Sequence, residues 1–219
     1  ETEALKAKLT NKKSEVICGV EYVSGELSGK SVVVAQCGIG KVFAAICAQT
    51  MILRYGATTL INTGVAGTLS DKIGILDFAI SSGVVQHDMD TTAIGDAPGL
   101  ISGINIVEIP AAKSLCETVV STAIEQGNRA IAGIVASGDQ FINNASRKAF
   151  IRDTFGAVCC EMEGAAIAQV CRLYSVKFSV LRSMSDSADG EAEMDFPTFV
   201  QLSADRAAKI AASLAKALF

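Results

Sequence analysis

Residues 157–170 read AVCCEMEGAAIAQV, with two acidic residues between two apolar runs. The first run is typical of a buried strand, and the second of a helix that begins near Gly164. A carboxylate in such surroundings is costly unless it is paired, hydrogen-bonded or solvated in a cleft. Ligands bind at strand ends in open α/β sheets, and the amides of a helix N-terminus favour anionic or hydroxyl-bearing groups. Glu161 and Glu163 are therefore candidate ligand-binding residues. Alternatively, Glu163 is an ordinary first-turn acid and Glu161 is a solvated strand end.

Strand and helix patterns alternate on both sides of this stretch. Strands are predicted over 15–22, 31–36, 58–62, 75–86, 129–136, 157–161 and 178–181. Helices are predicted over 1–9, 42–54, 110–126 and 144–155, from 164, and from 197 to the end. Since most strands are apolar throughout, the sequence predicts an α/β fold with a mixed central β-sheet flanked by helices on both faces. We expect one domain over residues 1–219. Because a helix opens the chain without a preceding strand, we also expect the domain's first strand to be missing from this sequence.

The composition favours a globular protein that acts on a small molecule. The formal net charge is −4 and the isoelectric point is about 5.1, which argues against a nucleic-acid partner. No apolar run is long enough to span a bilayer, and no signal peptide is recognisable. The seven cysteines lack a Cys-x-x-Cys spacing and lie mostly in apolar segments, as reduced core cysteines do. We therefore predict a cytoplasmic protein without membrane or nucleic-acid partners.

Two short motifs are candidate cofactor or metal sites. The turn GIGK at 38–41 lacks the P-loop residues at Ala35 and Val42, and the third glycine of a dinucleotide fingerprint is replaced by Phe43. A tight strand-to-helix turn explains these glycines better. The motif HDMD at 87–90 contains the only histidine, which together with its two aspartates could bind a metal, but no second His or Glu follows at ligand spacing. A Ser-His-Asp hydrolase would need the same histidine, and no G-x-S-x-G motif is present. We predict no metal and no cofactor.

Polar residues collect at the ends of several predicted strands. Buried runs stop in small or polar residues at 62–67, 137–144, 161–164 and 182–186. If these strands are neighbours, their ends line one crevice. The side chains expected in it are Glu161, Glu163, Asp186, Ser185, Arg182, Asn62 and Phe141.

The same segments carry a family resemblance that runs along the whole chain. They are GIGKV at 38–42, INTGVAG at 61–67, HDMD at 87–90, ASGDQFIN at 136–143, EMEGAAIA at 161–168 and RSMSD at 182–186. In these motifs the sequence resembles the bacterial 5′-methylthioadenosine/S-adenosylhomocysteine nucleosidases, which belong to the purine nucleoside and uridine phosphorylase superfamily. The resemblance implies a nucleoside phosphorylase-like fold and hydrolysis of an N-glycosidic bond.

The resemblance also implies roles for individual residues. Glu163 and Met162 would hold the ribose, Phe141 would stack on adenine, and the backbone of Ile142 would read the edge of the base. Asp186 would protonate purine N7 with Ser185 orienting it, and Phe196 would line the pocket for the 5′ alkylthio tail. The water-activating glutamate maps onto Glu1. The implied catalytic set is Glu1, Asp186, Ser185 and Arg182, and the implied substrate-binding set is Phe141, Ile142, Met162, Glu163, Glu161, Val65 and Phe196.

Those residue types suit the chemistry. A carboxylic acid kept neutral by an apolar pocket can protonate a leaving purine, and an ionised carboxylate opposite it can activate water. The phosphorylases of the superfamily carry an arginine where this chain has Asn62 and a hydroxyl residue where it has Val65. Since an arginine fork and a hydroxyl hold phosphate, their absence favours water as the nucleophile. Another nucleoside hydrolase such as a futalosine hydrolase, a phosphorylase of the same superfamily, and a non-catalytic nucleoside-binding protein remain alternatives.

The resemblance further implies a homodimer, in which a loop of one subunit closes the tail pocket of the other. Residues 91–103 would be that loop. The loop lacks the aromatic residues common there in the family, so it leaves the tail preference open.

Overall fold

The computed structural model describes residues 2–186 and 196–218. Nine strands are found in these ranges, in two sheets. They are β1 (Thr10–Ile17), β2 (Val20–Leu27), β3 (Lys30–Ala35), β4 (Thr59–Thr68), β5 (Phe78–Gln86), β6 (Glu108–Pro110), β7 (Ala130–Ser137), β8 (Ala157–Glu161) and β9 (Lys177–Met184). The α-helices in the same ranges are α1 (Thr2–Lys8), α2 (Lys41–Tyr55), α3 (Lys113–Glu125), α4 (Ala145–Phe155), α5 (Gly164–Leu173) and α6 (Phe196–Ala217).

The central sheet is mixed, as predicted. Its strand order is β6-β5-β7-β8-β4-β9, and β9 also pairs with β5, so the sheet closes on itself. The pairs β5/β7, β7/β8 and β4/β9 are parallel, while β4/β8 and β5/β6 are antiparallel. The strands β7, β8, β4 and β9 are consecutive neighbours. These are the four strands whose ends were expected to meet.

Helices cover both faces of this sheet, which confirms the predicted architecture. Adjacent residues of one strand enter different hydrophobic clusters because successive side chains point to opposite faces. In β9, Val180 joins the cluster that contains residues of α2 and α5, whereas Leu181 joins the cluster that contains residues of α3 and α6. The side chains of Val180 and Leu181 are both fully buried.

Two strands are longer than the sequence pattern indicated. The prediction ended one at Asn62 and the other at Leu181, but β4 continues to Thr68 and β9 to Met184. Their parallel register runs from Thr59 opposite Lys177 to Ala66 opposite Met184. Glycines and polar residues in 61–67 and 182–184 suggested turns, yet the ladder of backbone hydrogen bonds carries both strands past them.

Other element boundaries match or differ locally. The predicted segment 15–22 is split by a turn at Cys18 and Gly19, both with positive φ, so the first sheet is a three-stranded meander. The strand β6 was not predicted, because Pro110 was taken as the start of a helix. Residues 91–103 contain a short 3-10 helix at Thr92–Ile94. Within the residues that the structure describes, no helix is long and apolar enough to cross a membrane.

The helix α4 matches the helix predicted over 144–155, and Asn144 is its N-cap. The side chain of Asn144 accepts hydrogen bonds from the backbone N–H groups of Ser146 and Arg147, at 2.9 and 3.1 Å. Replacing Asn144→Ala leaves these two donors without that acceptor. We expect the variant to lose about 1 kcal/mol in the free energy of unfolding, measured by urea denaturation.

Asn144→Asp is the matched control, because an aspartate keeps the accepting oxygen. It should retain nearly all of the wild-type stability. Equal losses in both variants would contradict the assignment of the cap.

Candidate active site

The carboxylate of Glu161 lies at the end of β8 and is enclosed by donors. It accepts hydrogen bonds from the backbone N–H of Glu163 at 3.0 Å and of Gly164 at 2.9 Å, from the Ser137 hydroxyl, and from the guanidinium of Arg182. Its side chain is 1% exposed. Glu161 is therefore not a solvated strand end. Its carboxylate is a buried acceptor that fixes the start of α5.

The guanidinium of Arg182 is the partner that makes this burial possible. It lies on β9 with its side chain 4% exposed and contacts Glu161. It also donates to Asn62 Oδ1 at 2.5 Å and to Glu163 Oε2 at 3.3 Å. A buried charge is tolerated when it is paired and hydrogen-bonded. One cation thus joins β4, β8, β9 and the N-terminus of α5.

Glu163 is hydrogen-bonded to the GIGK turn at 38–41, which the sequence predicted to be a plain strand-to-helix turn. Its Oε1 accepts a hydrogen bond from the backbone N–H of Gly40 at 2.9 Å. Burial raises the pKa of Glu163, while the charge of Arg182 opposes that rise and the charge of Glu161 adds to it. The turn is held from its other side by Asp139, which accepts from the N–H of Lys41 at 2.8 Å. The two glycines of GIGK were the sequence feature that could have predicted the contact between this turn and Glu163.

A cavity of about 260 Å³ opens beside these groups. It is lined by Gly67, Gln140, Phe141, Ile142, Asn143, Lys148, Cys160, Glu161, Met162, Ser185 and Asp186. Six of the predicted site residues are in this set, namely Phe141, Ile142, Glu161, Met162, Ser185 and Asp186. The ring of Phe141 is 84% exposed. Such a ring at the edge of a cavity offers an apolar face on which a flat base can stack.

Asp186 is held by two donors on the cavity wall. Its Oδ1 accepts from the backbone N–H of Thr68 at 2.7 Å, and its Oδ2 accepts from Lys148 Nζ at 2.6 Å. The hydroxyl of Ser185, which was expected to orient Asp186, instead donates to the carbonyl of Ala66 at 3.1 Å. The expected apolar surroundings of Asp186 are also not what is found, since an ammonium group pairs with it. Lys148 had not been singled out from the sequence.

The remaining predicted site residues lie outside the cavity lining. Arg182 and Glu163 do not line the cavity. Arg182 contacts both Glu163 and the cavity-lining Glu161. Val65 lies in β4 opposite Ser183 of β9 and is half-buried. Glu1 lies outside the described residues. Phe196 is the first residue of α6, and its side chain lies outside the description.

The carboxylates around the single histidine are bonded within the protein. Asp88 accepts from Lys41 Nζ at 2.8 Å and from the N–H of Asp139 at 2.9 Å. Asp90 accepts from the N–H of Thr92 at 2.9 Å. Across residues 2–186 and 196–218, no group of three or more His, Cys, Asp or Glu side chains is arranged to hold a metal ion. These contacts give the aspartates a structural role in shaping the loops near the cavity.

A closed mixed sheet with a small cavity at its strand ends, bordered by a carboxylate and an exposed aromatic ring, defines an α/β enzyme that acts on a small molecule. The Phosphorylase superfamily matches residues 1–218 of the chain. A curated relative, the 5′-methylthioadenosine/S-adenosylhomocysteine nucleosidase of Shewanella halifaxensis, is 38% identical over 211 residues, or 96% of this chain and 92% of the relative.

Solved structures agree with that match. The 5′-methylthioadenosine/S-adenosylhomocysteine nucleosidase of Campylobacter jejuni has a TM-score of 0.92 and 35% identity, over 96% of this chain and 92% of that one. The futalosine hydrolase of Helicobacter pylori has a TM-score of 0.90 and 35% identity, over 98% of this chain and 92% of that one. The chain therefore belongs to the phosphorylase superfamily and, within it, to the family of the 5′-methylthioadenosine/S-adenosylhomocysteine nucleosidases. The resemblance found in the sequence motifs is confirmed.

Gly64 gives a direct test of the packing around Arg182. A Cβ atom on Gly64 would overlap the guanidinium nitrogen Nη1 of Arg182. The guanidinium is held by its carboxylate partners and cannot move aside without leaving them. We expect Gly64→Ala to lower the free energy of unfolding by about 3 kcal/mol or more, measured by chemical denaturation.

Gly74→Ala is the control, because a Cβ there has no neighbouring atom within 4 Å and the residue does not have positive φ. Its stability should stay within about 1 kcal/mol of the wild type. If Gly64→Ala were as stable as Gly74→Ala, the placement of the Arg182 guanidinium against the backbone of β4 would be wrong.

Proposed function

We propose that this protein hydrolyses the N-glycosidic bond of 5′-methylthioadenosine and S-adenosylhomocysteine, releasing adenine and the thioribose product. Membership of the family supports the reaction. The observation that carries the proposal in this chain is that β8, the 138–144 loop and the end of β9 bring Met162, Phe141, Ile142 and Asp186 to the lining of the same cavity. These are residues for which the family resemblance implies contact with the nucleoside.

The substrate would bind with its base at the exposed end of this cavity. The ring of Phe141 is available to stack on adenine, and the backbone of Ile142 is available to hydrogen-bond to the edge of the base. Met162 lines the cavity next to the start of α5 and would pack on the ribose. Glu163 would bond the ribose hydroxyls, and its side chain is 13% exposed.

The reaction would proceed by loss of the base from an oxocarbenium-like sugar. The bond between C1′ and N9 breaks, and its electron pair goes to the purine. Asp186 in its protonated form gives its proton to N7, so that adenine leaves as a neutral molecule. A water oxygen bonds to C1′, and the proton that this water loses is taken by Glu1. Each such proton transfer contributes roughly 10²- to 10⁴-fold in rate.

The charge balance behind the cavity favours water over phosphate as the nucleophile. A phosphorylase needs cationic donors for phosphate. Here Asn62 stands where the phosphorylases of the superfamily carry an arginine, and its side chain accepts from Arg182. The guanidinium of Arg182 forms ion pairs with the carboxylates of Glu161 and Glu163. Two carboxylates facing one guanidinium disfavour a further anion at this place.

Futalosine hydrolysis is a second candidate, because the futalosine hydrolase of Helicobacter pylori resembles this chain as closely as the Campylobacter jejuni nucleosidase does in identity. Both reactions cleave a bond between a purine and C1′. Relative kcat/KM values for 5′-methylthioadenosine, S-adenosylhomocysteine and futalosine, measured in one preparation, decide between the two candidates.

We propose that the protein is a homodimer in the cytoplasm and acts in methionine salvage. Apolar side chains on one face of α2 are exposed in the single chain, and they are Val42, Phe43, Ile46 and Leu53. The opposite face of α2 is buried through Ala44, Cys47 and Ala48. Contact of two copies through the exposed face would remove this apolar area from water. The 91–103 loop, with Ile94 exposed, would then be available to close the partner's cavity.

The reaction is tested by following adenine release without added phosphate. We expect the wild type to release adenine from 5′-methylthioadenosine under these conditions. Asp186→Asn should lower kcat by roughly 10²- to 10⁴-fold, because an amide cannot supply the proton to N7. Asp153→Asn is the matched control, since Asp153 is exposed and pairs with Arg152 away from the cavity.

Three outcomes would contradict the proposal. A requirement for phosphate with ribose 1-phosphate as product would make the protein a phosphorylase. An unchanged kcat in Asp186→Asn would remove Asp186 from the chemistry. If the wild type bound the nucleoside without releasing adenine, the protein would be a binding protein.

The dimer is tested with a charge on the exposed face of α2. We expect the wild type to sediment as a dimer, and Val42→Asp to raise the dissociation constant of the dimer at least about tenfold, because a carboxylate would be buried without a partner. Leu173→Asp places the same charge at another exposed apolar position, at the end of α5, and should leave the dimer intact. A wild type that sediments as a monomer would contradict the proposal.

A further inference from the structure

The N-terminus of α2 is capped by acidic side chains from distant parts of the chain. Gly40 is the N-cap residue of this helix and has no side chain that could accept hydrogen bonds from the first amides. Glu163 Oε1 instead accepts from the backbone N–H of Gly40 at 2.9 Å. Asp139 Oδ1 accepts from the next N–H, that of Lys41, at 2.8 Å. Two consecutive amides are therefore held by two carboxylates, and one of these belongs to the residue proposed to bind the ribose.

Asp139 is itself fixed by a third acidic residue. Its backbone N–H donates to Asp88 Oδ2 at 2.9 Å, and Asp88 Oδ1 accepts from Lys41 Nζ at 2.8 Å. The side chains of Lys41 and Asp88 are 22% and 13% exposed, so solvent screens this ion pair less than an exposed one. Asp139, Lys41 and Asp88 thus form a closed ring of three contacts, which holds the Asp139 carboxylate against the start of α2.

The same carboxylate also packs directly against Gly40. This residue has a φ of +94°, which glycine adopts without strain, and a Cβ added to it would lie 2.9 Å from Asp139 Oδ1. A contact of that length is too short for a carbon atom, so the backbone can approach the carboxylate only where the residue is glycine. The position of Asp139 therefore sets the position of the amide that binds Glu163.

We propose that Asp139 is a positioning residue, which acts through the turn at 38–41 to hold the Glu163 carboxylate in the orientation that binds the ribose. The inference rests on the proposed function, in which Glu163 bonds the ribose hydroxyls. Gly40 donates to Oε1 of Glu163, and Arg182 donates to Oε2 at 3.3 Å. Each carboxylate oxygen can accept more than one hydrogen bond. The two protein donors fix the direction of the carboxylate, and further lone pairs remain for hydroxyl groups.

A second route of action has to be separated from this one. Asp139 belongs to the loop that carries Phe141 and Ile142, so its loss could also disturb the residues proposed to bind the base. Adenine alone has a base and no ribose. Its inhibition constant as a product therefore reports on the base-binding loop, whereas kcat/KM for the nucleoside reports on the ribose contacts as well.

The test measures kcat and KM for 5′-methylthioadenosine and the inhibition constant of adenine. Asp139→Ala removes the acceptor of the Lys41 amide at an exposed position. We expect kcat/KM to fall roughly tenfold, because a misdirected Glu163 carboxylate holds the ribose less well in the transition state. The inhibition constant of adenine should stay within about twofold of the wild type.

Three further variants complete the comparison. Asp139→Asn keeps an accepting oxygen, and since asparagine caps helices as well as aspartate does, it should retain most of the wild-type kcat/KM. Gly40→Ala disturbs the same contact from the other side and should reproduce the pattern of Asp139→Ala, which keeps the test open if the latter does not fold. Asp205→Ala is the control, because Asp205 on α6 is bonded to Gln201 and neither residue lines the cavity.

The outcomes separate this inference from the proposed function. A lower kcat/KM with an unchanged inhibition constant of adenine, restored in Asp139→Asn, supports the inference. An unchanged kcat/KM in folded Asp139→Ala overturns it, and so does an equal loss of adenine binding, which would assign the effect to the base-binding loop. An equal loss in Asp139→Asn also overturns it. If the wild type releases no adenine, or Asp186→Asn is fully active, the proposed function itself has failed.

Discussion

The contact between the Arg182 guanidinium and the Glu161 carboxylate is the interaction on which the site depends. Both side chains are almost fully buried, so neither charge could be tolerated alone. Removing one partner from such a pair typically costs about 3–5 kcal/mol, because the other charge is left buried without compensation. The pair also fixes the relative positions of neighbouring strands and helices. Arg182, on β9, reaches Asn62 on β4, while Glu161, on β8, bonds the first amides of α5, so one ion pair sets the spacing of four elements beneath the cavity.

The three carboxylates of the site differ in their hydrogen-bond partners. Glu161 uses its oxygens on protein donors, and it occupies the helix N-terminus that could otherwise attract an anionic ligand. Glu163 shares Arg182 with it but remains partly accessible, and it links α5 to the turn at Gly40. Asp186 lies in the cavity wall with its own cation, Lys148. Three acids close together in sequence or space thus have three different sets of hydrogen-bond partners.

The fold could be predicted from the sequence because it depends on local patterns. The apolar run of β8, the small residues that open α5 and the Asn144 cap each act within a few residues of the chain. The site could be predicted only in part. Motifs located Phe141, Met162 and Asp186, but the partner of each charged group comes from a distant segment. The bond from Gly40 to Glu163 spans 123 residues and that from Lys148 to Asp186 spans 38, and no periodicity in the sequence encodes them. For the same reason the donors that surround Glu161 could not be predicted from its own stretch of sequence.

The close approach of Arg182 to the backbone of Gly64 also restricts how this protein can change over time. Any side chain at position 64 would claim the volume that the guanidinium fills, and a smaller residue at position 182 would leave Glu161 without its counter-charge. Neither replacement is tolerable before the other, so the two positions are expected to be strongly epistatic. A gradual mutational path through positions 64 and 182 is therefore closed, whereas the exposed Phe141 in the cavity lining can vary without disturbing the buried charges.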